Sequence, residues 1–226
     1  MSNPFKTPWS FSVLAMFEQC RKKYYHLKVK KDVKDSDSAF AGEGKEIHDA
    51  MFQRVIKGTP LPLPLRHFEK YAAAFARRPG EKHGEMKLCL SNKFEPVGWF
   101  ADDAWVRAVV DLLIVDGDTA TIVDWKTGKV RIDWTQLQLT AAIVGQLMPE
   151  IQKFNLVFVW LNAGQISVPE SGPLLRSQLK GVWSDILPRV REIERARATS
   201  DFPLTSSGLC RYCPVHTCPE WRERDE

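Results

Sequence analysis

Ile122-Val123-Asp124-Trp125-Lys126-Thr127-Gly128 is the stretch that decides the fold. Apolar residues give way abruptly to a carboxylate, an indole and an ammonium, and then to a turn-forming Thr-Gly pair. Residues i and i+2 of a β-strand share one face. Asp124 and Lys126 therefore project together from a strand end, with Cα atoms roughly 6–7 Å apart. An exposed strand-end ion pair would also give two such residues. The sudden entry of charge after an apolar run is the mark of a strand-end active site.

Immediately before it, Trp105 to Val115 is rich in valine and reads as a strand. Asp116-Gly117-Asp118 is a hairpin turn signal, and Thr119 to Trp125 is the returning strand. That hairpin brings Asp111 close to opposite Asp124. Two carboxylates and an ammonium on one sheet face make poor core packing, because burying them unpaired is expensive. A divalent cation would resolve the repulsion between the carboxylates.

Farther upstream, Met86, Leu88 and Leu90 alternate with Glu85, Lys87 and Cys89, as in a half-buried strand. A helix over about Gly44 to Lys57 carries Ile47, Met51 and Val55 on one face and stops at Gly58. Pro60, Pro62 and Pro64 enforce an extended linker, and Leu65 to Arg78 is helical again. At the N-terminal end, Ser10 or Ser12 can cap a helix carrying Leu14, Phe17 and Tyr24.

Downstream, Asp133 can cap a helix with Leu137, Ala141, Val144 and Leu147 on its apolar face, ended by Pro149. Phe154 to Leu161 reads as a buried strand, and Asn162-Ala163-Gly164 turns into a short strand, Gln165 to Val168. A long helix, about Pro173 to Thr199, is expected to kink at Pro188. The element order implies a single α/β domain with a mixed sheet over residues 1–226. Its expected parts are an N-terminal helical part (1–80), a catalytic sheet core (81–169) and a C-terminal helix with a Cys-rich segment (170–226).

Net charge is only +4, from 32 basic and 28 acidic residues, which permits nucleic acid as a partner without requiring it. The distribution says more. Arg21, Lys22, Lys23, Lys28, Lys30, Lys31 and Lys34 are opposed in their stretch only by Asp32. Such a run is either a solvated helix face or a phosphate-contacting patch whose Tyr24, Tyr25 and His26 stack on bases. Lys22, Lys23 and Lys30 are the DNA-binding candidates. No apolar run approaches the roughly 20 residues of a membrane span, and Met1 to Ser10 lacks a signal-peptide apolar segment. The expected setting is a reducing cytoplasm. Five cysteines, an odd number, then point to metal ligation rather than disulfides. Cys210-x₂-Cys213-x₄-Cys218 is a compact ligand array with His216 inside it, so a zinc site is open to it.

Together these segments resemble the RecB-like branch of the PD-(D/E)XK nucleases, phage-encoded and CRISPR-associated iron–sulfur exonucleases among them. Trp9-Ser-Phe-Ser12 with Phe17-Glu-Gln-Cys20 resembles the branch's opening helix, and Gly44-Lys-Glu-Ile-His48 its histidine motif. Trp105-Val-Arg-Ala-Val-Val-Asp111 resembles the strand bearing the first metal-binding aspartate. Asp124-Trp-Lys126-Thr-Gly-Lys resembles the central motif, and Gln136-Leu-Gln-Leu the glutamine motif. Two positions depart from the pattern: Ala108 replaces a usual glycine and Thr140 a common tyrosine.

The resemblance implies a restriction-endonuclease-like αβββαβ core, flanked by N- and C-terminal helical segments. It implies Mg²⁺ or Mn²⁺ held by His48, Asp111, Asp124 and the Trp125 carbonyl, with Glu85 as a further acidic candidate. An imidazole ligand would favour Mn²⁺. Lys126 would orient the attacking water and Gln136 would position water or phosphate. Cys20 would join Cys210, Cys213 and Cys218 around a [4Fe–4S] cluster, although the x₄ gap is one residue shorter than the more usual spacing. The implied activity is a divalent-metal-dependent DNA nuclease of a bacterial or phage-infected cell, an exonuclease in recombination, repair or phage DNA processing, with a helicase or recombination protein as partner. The alternatives are a catalytically silent DNA-binding scaffold that keeps the fold, and a zinc-dependent interaction protein. All the expected ligands and Lys126 are present, which speaks against both.

Overall fold

The computed structural model describes residues 7–34 and 39–222. Helix α1 (Phe11–Gln19) starts at Ser10, whose side chain accepts from the Val13 N–H at 3.4 Å. At Cys20 the backbone becomes extended. The chain restarts as α2 (Arg21–Tyr24), with the Cys20 sulfur accepting from the Lys23 N–H at 3.5 Å. A π-helical turn, Tyr25–Lys30, follows. The single N-terminal helix expected from the sequence is thus three pieces. Helix α3 (Ala39–Lys57) stops at Gly58 as expected. A 3₁₀ stretch, Leu63–Phe68, leads into α4 (Glu69–Ala76).

Strand β1 (Glu81–Ser91) pairs antiparallel with β2 (Ala104–Asp116), and β2 pairs antiparallel with β3 (Thr119–Lys126). Gly117 (φ 57°) takes the left-handed first position of the two-residue turn between β2 and β3. Parallel strands need a crossover connection. Helix α5 (Thr135–Leu147) provides it, and β4 (Lys153–Trp160) then pairs parallel with β3. Strand β5 (Gln165–Ser167) lies antiparallel on β4. Strand β6 (Leu174–Leu175), unexpected inside the C-terminal helical part, pairs with the start of β4. Helix α6 (Leu179–Thr199) contains Pro188 and closes the order. The six-stranded mixed sheet and its flanking helices realise the α/β class and the αβββαβ order.

Two cores sandwich the sheet. On one side α1, α5 and α6 bury Leu14, Phe17, Leu137, Val144, Ile186 and Val190 against Val106, Val110, Ile122 and Phe158. On the other, α3 and α4 bury Ile47, Met51, Val55, Ala72 and Phe75 against Leu112, Val123, Trp125 and Val157. The two helices approach the sheet closely. A Cβ added to Gly84 of β1 would lie 2.4 Å from the Phe52 ring on α3.

The β2–β3 ladder ends at the Leu112–Val123 pair. Beyond it β2 continues alongside β1 while β3 continues alongside β4. The sheet therefore forks at Asp111 and Asp124, and the fork is where the charged residues gather.

Candidate active site

Asp111 stands at the crotch of the fork. Its Oδ2 accepts the Trp125 backbone N–H at 2.8 Å, replacing the ladder bond that β2 no longer supplies. Within a strand, the N–H and C=O of one residue face the same edge. The Trp125 carbonyl therefore also faces the gap beside Asp111, as its expected ligand role requires. The Trp125 side chain is buried edge-on against Phe75.

On its other oxygen Asp111 lies 3.4 Å from Nδ1 of His48, carried by α3. Glu85 of β1 joins them. Among the described residues, His48, Glu85 and Asp111 are the group of three or more metal-ligating side chains whose ligand atoms fall within 4.8 Å of one another. Glu85 stands in the β1 register between Gly84 and Met86, directly across from Asp111. Its φ of 50° is a left-handed conformation that non-glycine residues rarely adopt. His48 and Phe52 are one turn apart on α3, so the missing side chain at Gly84 is what lets that helix bring His48 up to Glu85.

Asp124 lies across the fork and is 8% exposed. Gln136, in the first turn of α5, donates to Asp124 Oδ1 at 2.6 Å and accepts from Lys126 Nζ at 2.9 Å. Lys126 Nζ also sits 2.8 Å from Asp124 Oδ2 and pairs with that buried oxygen. The ammonium lies over the Phe158 ring at 5.5 Å. Thr140, in place of the common tyrosine, returns its hydroxyl to the Gln136 carbonyl at 2.9 Å.

Burial, reinforced by the charge of Asp111, pushes the Asp124 carboxyl up to about 6 against the attraction of Lys126. Burial and Asp111 likewise raise Glu85. Burial works against a charged His48 ring, but the carboxylates of Asp111, Asp124 and Glu85 outweigh it and raise its pKa. Burial and the Asp111 charge drive the Asp124 and Glu85 carboxyls towards protonation, and carboxylate oxygens gathered beside an imidazole form a donor set that fits a divalent cation.

The cysteines form a second cluster. Cys20, Cys210, Cys213 and Cys218 line one cavity of about 140 Å³, so the N- and C-terminal segments do meet there. Burial raises the Cys213 thiol. Zinc held by four thiolates at about 2.3 Å needs its sulfurs about 3.8 Å apart. Among the described residues no three of these sulfurs lie within even 4.8 Å of one another. The expected cluster ligands thus share a location without a closed cage, and the structure gives the iron–sulfur expectation no further support. His216 rests on the Trp221 ring, with centroids 4.6 Å apart. Cys89 is free and buried.

The basic run is less free than its sequence implies. Tyr24 is fully buried against Phe17, and its hydroxyl accepts from Arg197 at 2.8 Å, so it cannot stack on a base. Tyr25 packs on Phe202 and His26 bonds to Asp32. Lys30 is paired with Asp32 at 2.6 Å and Arg21 with Glu192. Lys22 and Lys23 border the cysteine cavity.

No helix among the described residues is long and apolar enough to cross a membrane. No curated protein matches the sequence. Among solved structures, the protein solved as "Crystal structure of SSO0001" superposes with a TM-score of 0.51 at 15% identity, over 97% of this chain and 89% of that one. At that identity the likeness concerns the fold alone. The sequence profile described as the PD-(D/E)XK nuclease superfamily matches residues 44–219, which takes in His48, the whole fork of the sheet and Gln136. On that match the chain belongs to the PD-(D/E)XK nuclease superfamily.

Proposed function

We propose that this protein is a divalent-metal-dependent DNA exonuclease working in recombination, repair or phage DNA processing. The observation that carries the reading is the convergence of His48, Glu85 and Asp111 within 4.8 Å of one another at the fork, where Asp111 also accepts the Trp125 N–H. The Asp124–Gln136–Lys126 chain stands across it. His48, Asp111, Asp124 and the Trp125 carbonyl, with Glu85, would hold the cation. Mg²⁺ or Mn²⁺ bound there would supply a nucleophilic water at neutral pH and polarise the scissile phosphate.

The protein's own groups divide the remaining work. Lys126 orients the water and offsets the charge that grows on the phosphate oxygens in the transition state. Gln136 fixes Lys126 and Asp124 relative to one another, so the ammonium reaches the phosphate from a set position. Lys22 and Lys23 contact the phosphate backbone. The four cysteines would hold a [4Fe–4S] cluster, or zinc as the alternative, and the bound group would tie the chain's two terminal segments together. A helicase or recombination protein as partner would supply duplex unwinding, and the setting is cytoplasmic.

End-labelled single- and double-stranded DNA, incubated with Mg²⁺ or Mn²⁺, tests this. Mononucleotides released from one end support the exonuclease. Cuts in circular DNA would make it an endonuclease. DNA binding without any cleavage would leave the scaffold.

A further inference from the structure

The loop between β1 and β2 carries two aromatic residues that the metal site does not use. Gly98 and Ala101 close a β-turn through a 3.0 Å hydrogen bond, with Trp99 and Phe100 at its two central positions. Phe100 is 87% exposed, the most exposed of the large apolar side chains described. A lone exposed phenylalanine needs no explanation, but this one is built in. Arg107 of β2 donates a hydrogen bond to the Trp99 carbonyl. Its guanidinium lies 4.9 Å from the Trp99 ring centroid and 5.9 Å from that of Phe100. Lys87 of β1 lies 5.8 Å from the Trp99 ring.

The register ties this turn to the metal site. Arg107 and Val109 alternate with Val106 and Val110, which are buried in the α1–α5–α6 core. Lys87, opposite Val109, alternates with Met86 and Leu88 of the same core. Arg107, Val109 and Lys87 therefore lie on the side of the hairpin turned away from that core, and Val109 is 45% exposed. The row runs into the Glu85–Asp111 pair. Asp111 lies four positions beyond Arg107, about 13 Å along the strand.

We propose that Trp99 and Phe100 form a stacking platform for a nucleobase of a single-stranded nucleic acid whose scissile phosphate lies at the fork. This deepens the nuclease reading and rests on it. Thirteen ångströms is about four stacked nucleotides at about 3.4 Å each. Every base offers a π-face to an aromatic ring, so such a platform holds a strand without reading its sequence. Glu95, Asp102 and Asp103 share the loop with the two rings. A plain phosphate clamp would not be edged with carboxylates, so ring stacking rather than charge is the attraction. Arg107 and Lys87 hold the rings in place and offset those carboxylates.

Fluorescence anisotropy with a labelled thymidine strand of about twelve nucleotides, in Ca²⁺ without Mg²⁺ or Mn²⁺, tests the platform. Phe100→Ala is expected to weaken binding about 5- to 150-fold, the range for losing one base–aromatic stack. Phe100→Tyr should restore it and Phe100→Leu should not. The salt slope should be the same in all four proteins, because stacking releases no counterions. Binding by Phe100→Ala equal to that of the unaltered protein, or equal rescue by leucine and tyrosine, overturns the platform and leaves the nuclease reading standing. No binding by the unaltered protein overturns both.

Discussion

Trp125 gives its backbone N–H to Asp111 Oδ2 across 2.8 Å, in the place where a strand-to-strand bond would otherwise lie. One carboxylate thus joins the diverging strands with one oxygen and faces His48 with the other. Asp111 and Asp124, both proposed as ligands, differ as parts of the fold.

That difference separates their variants. Asp111→Ala and Asp124→Ala should each abolish metal-dependent cleavage. Only Asp111→Ala removes a charge-assisted backbone bond, a loss of about 1.5–3 kcal/mol. Urea unfolding without metal at pH 7 should show that loss for Asp111→Ala and a smaller one for Asp124→Ala, where losing the Gln136 and Lys126 contacts is offset by relief of a buried carboxylate.

The raised Asp124 pKa makes the metal-free protein sensitive to pH. A carboxyl lifted from 3.8 to about 6 is held protonated by the folded state. Its stabilising contribution is complete below about pH 4 and is lost as pH rises through about 6, for about 3 kcal/mol at most. Metal-free Asp124→Asn should therefore exceed the unaltered protein in stability at pH 7, with the gap closing towards pH 4. With Mg²⁺ present the direction reverses for activity, because the cation needs the carboxylate, and cleavage should rise with pH through the same window.

Lys126 bonds to Gln136 and pairs with Asp124 but supplies no metal ligand. Lys126→Ala should lower turnover by at least about a hundredfold, as for other single groups that stabilise developing charge. Calorimetry at pH 8 should find Mn²⁺ affinity unchanged or higher. Loss of Mn²⁺ binding with Lys126 would contradict the role given to it.

The cations of the N-terminal run should not contribute alike. Replacing Lys22 and Lys23 with Gln should flatten the salt dependence of single-strand binding by about 0.7 for each phosphate no longer neutralised. Lys30→Gln should change it little, because Lys30 is already engaged by Asp32.

Protein purified without oxygen should be brown and contain iron and acid-labile sulfide. Cys213→Ser should bleach it and lower its melting temperature, because the terminal segments lose their tie. Colourless protein with one zinc would replace iron by zinc and leave the nuclease assignment intact.

The parts of this fold governed by local rules were legible from the residues. The Asp116-Gly117-Asp118 turn and the Gly58 stop lie where expected, and Met86, Leu88 and Leu90 face one core, but Cys89 between them is buried as well rather than half-exposed. The Asp133 carboxylate does accept from the first turn of α5, through the Thr135 N–H. The rest depended on partners distant in sequence. Leu174–Leu175 is a strand only because the start of β4 lies beside it. Nothing like proline or glycine marks the break at Cys20, which a sulfur-capped restart makes tolerable. Tyr24 read as a surface residue among cations until Phe17 and Arg197 closed over it. At the site, Asp124 and Lys126 followed from strand periodicity. His48 followed only from the family resemblance, because helical spacing alone does not tell a ligand from a surface histidine. The left-handed backbone of Glu85 could not be read from a glutamate.

The fork has a further consequence. A strand whose neighbour departs leaves a row of unsatisfied N–H and C=O groups, which can recruit a foreign strand and start aggregation. Here the bared edge of β3 is occupied at Trp125 by a carboxylate and flanked by Asp124 and Lys126. Charges of both signs at an opened edge make it a poor template for a passing peptide. The residues proposed to cut DNA also keep this sheet from adding a stranger's strand.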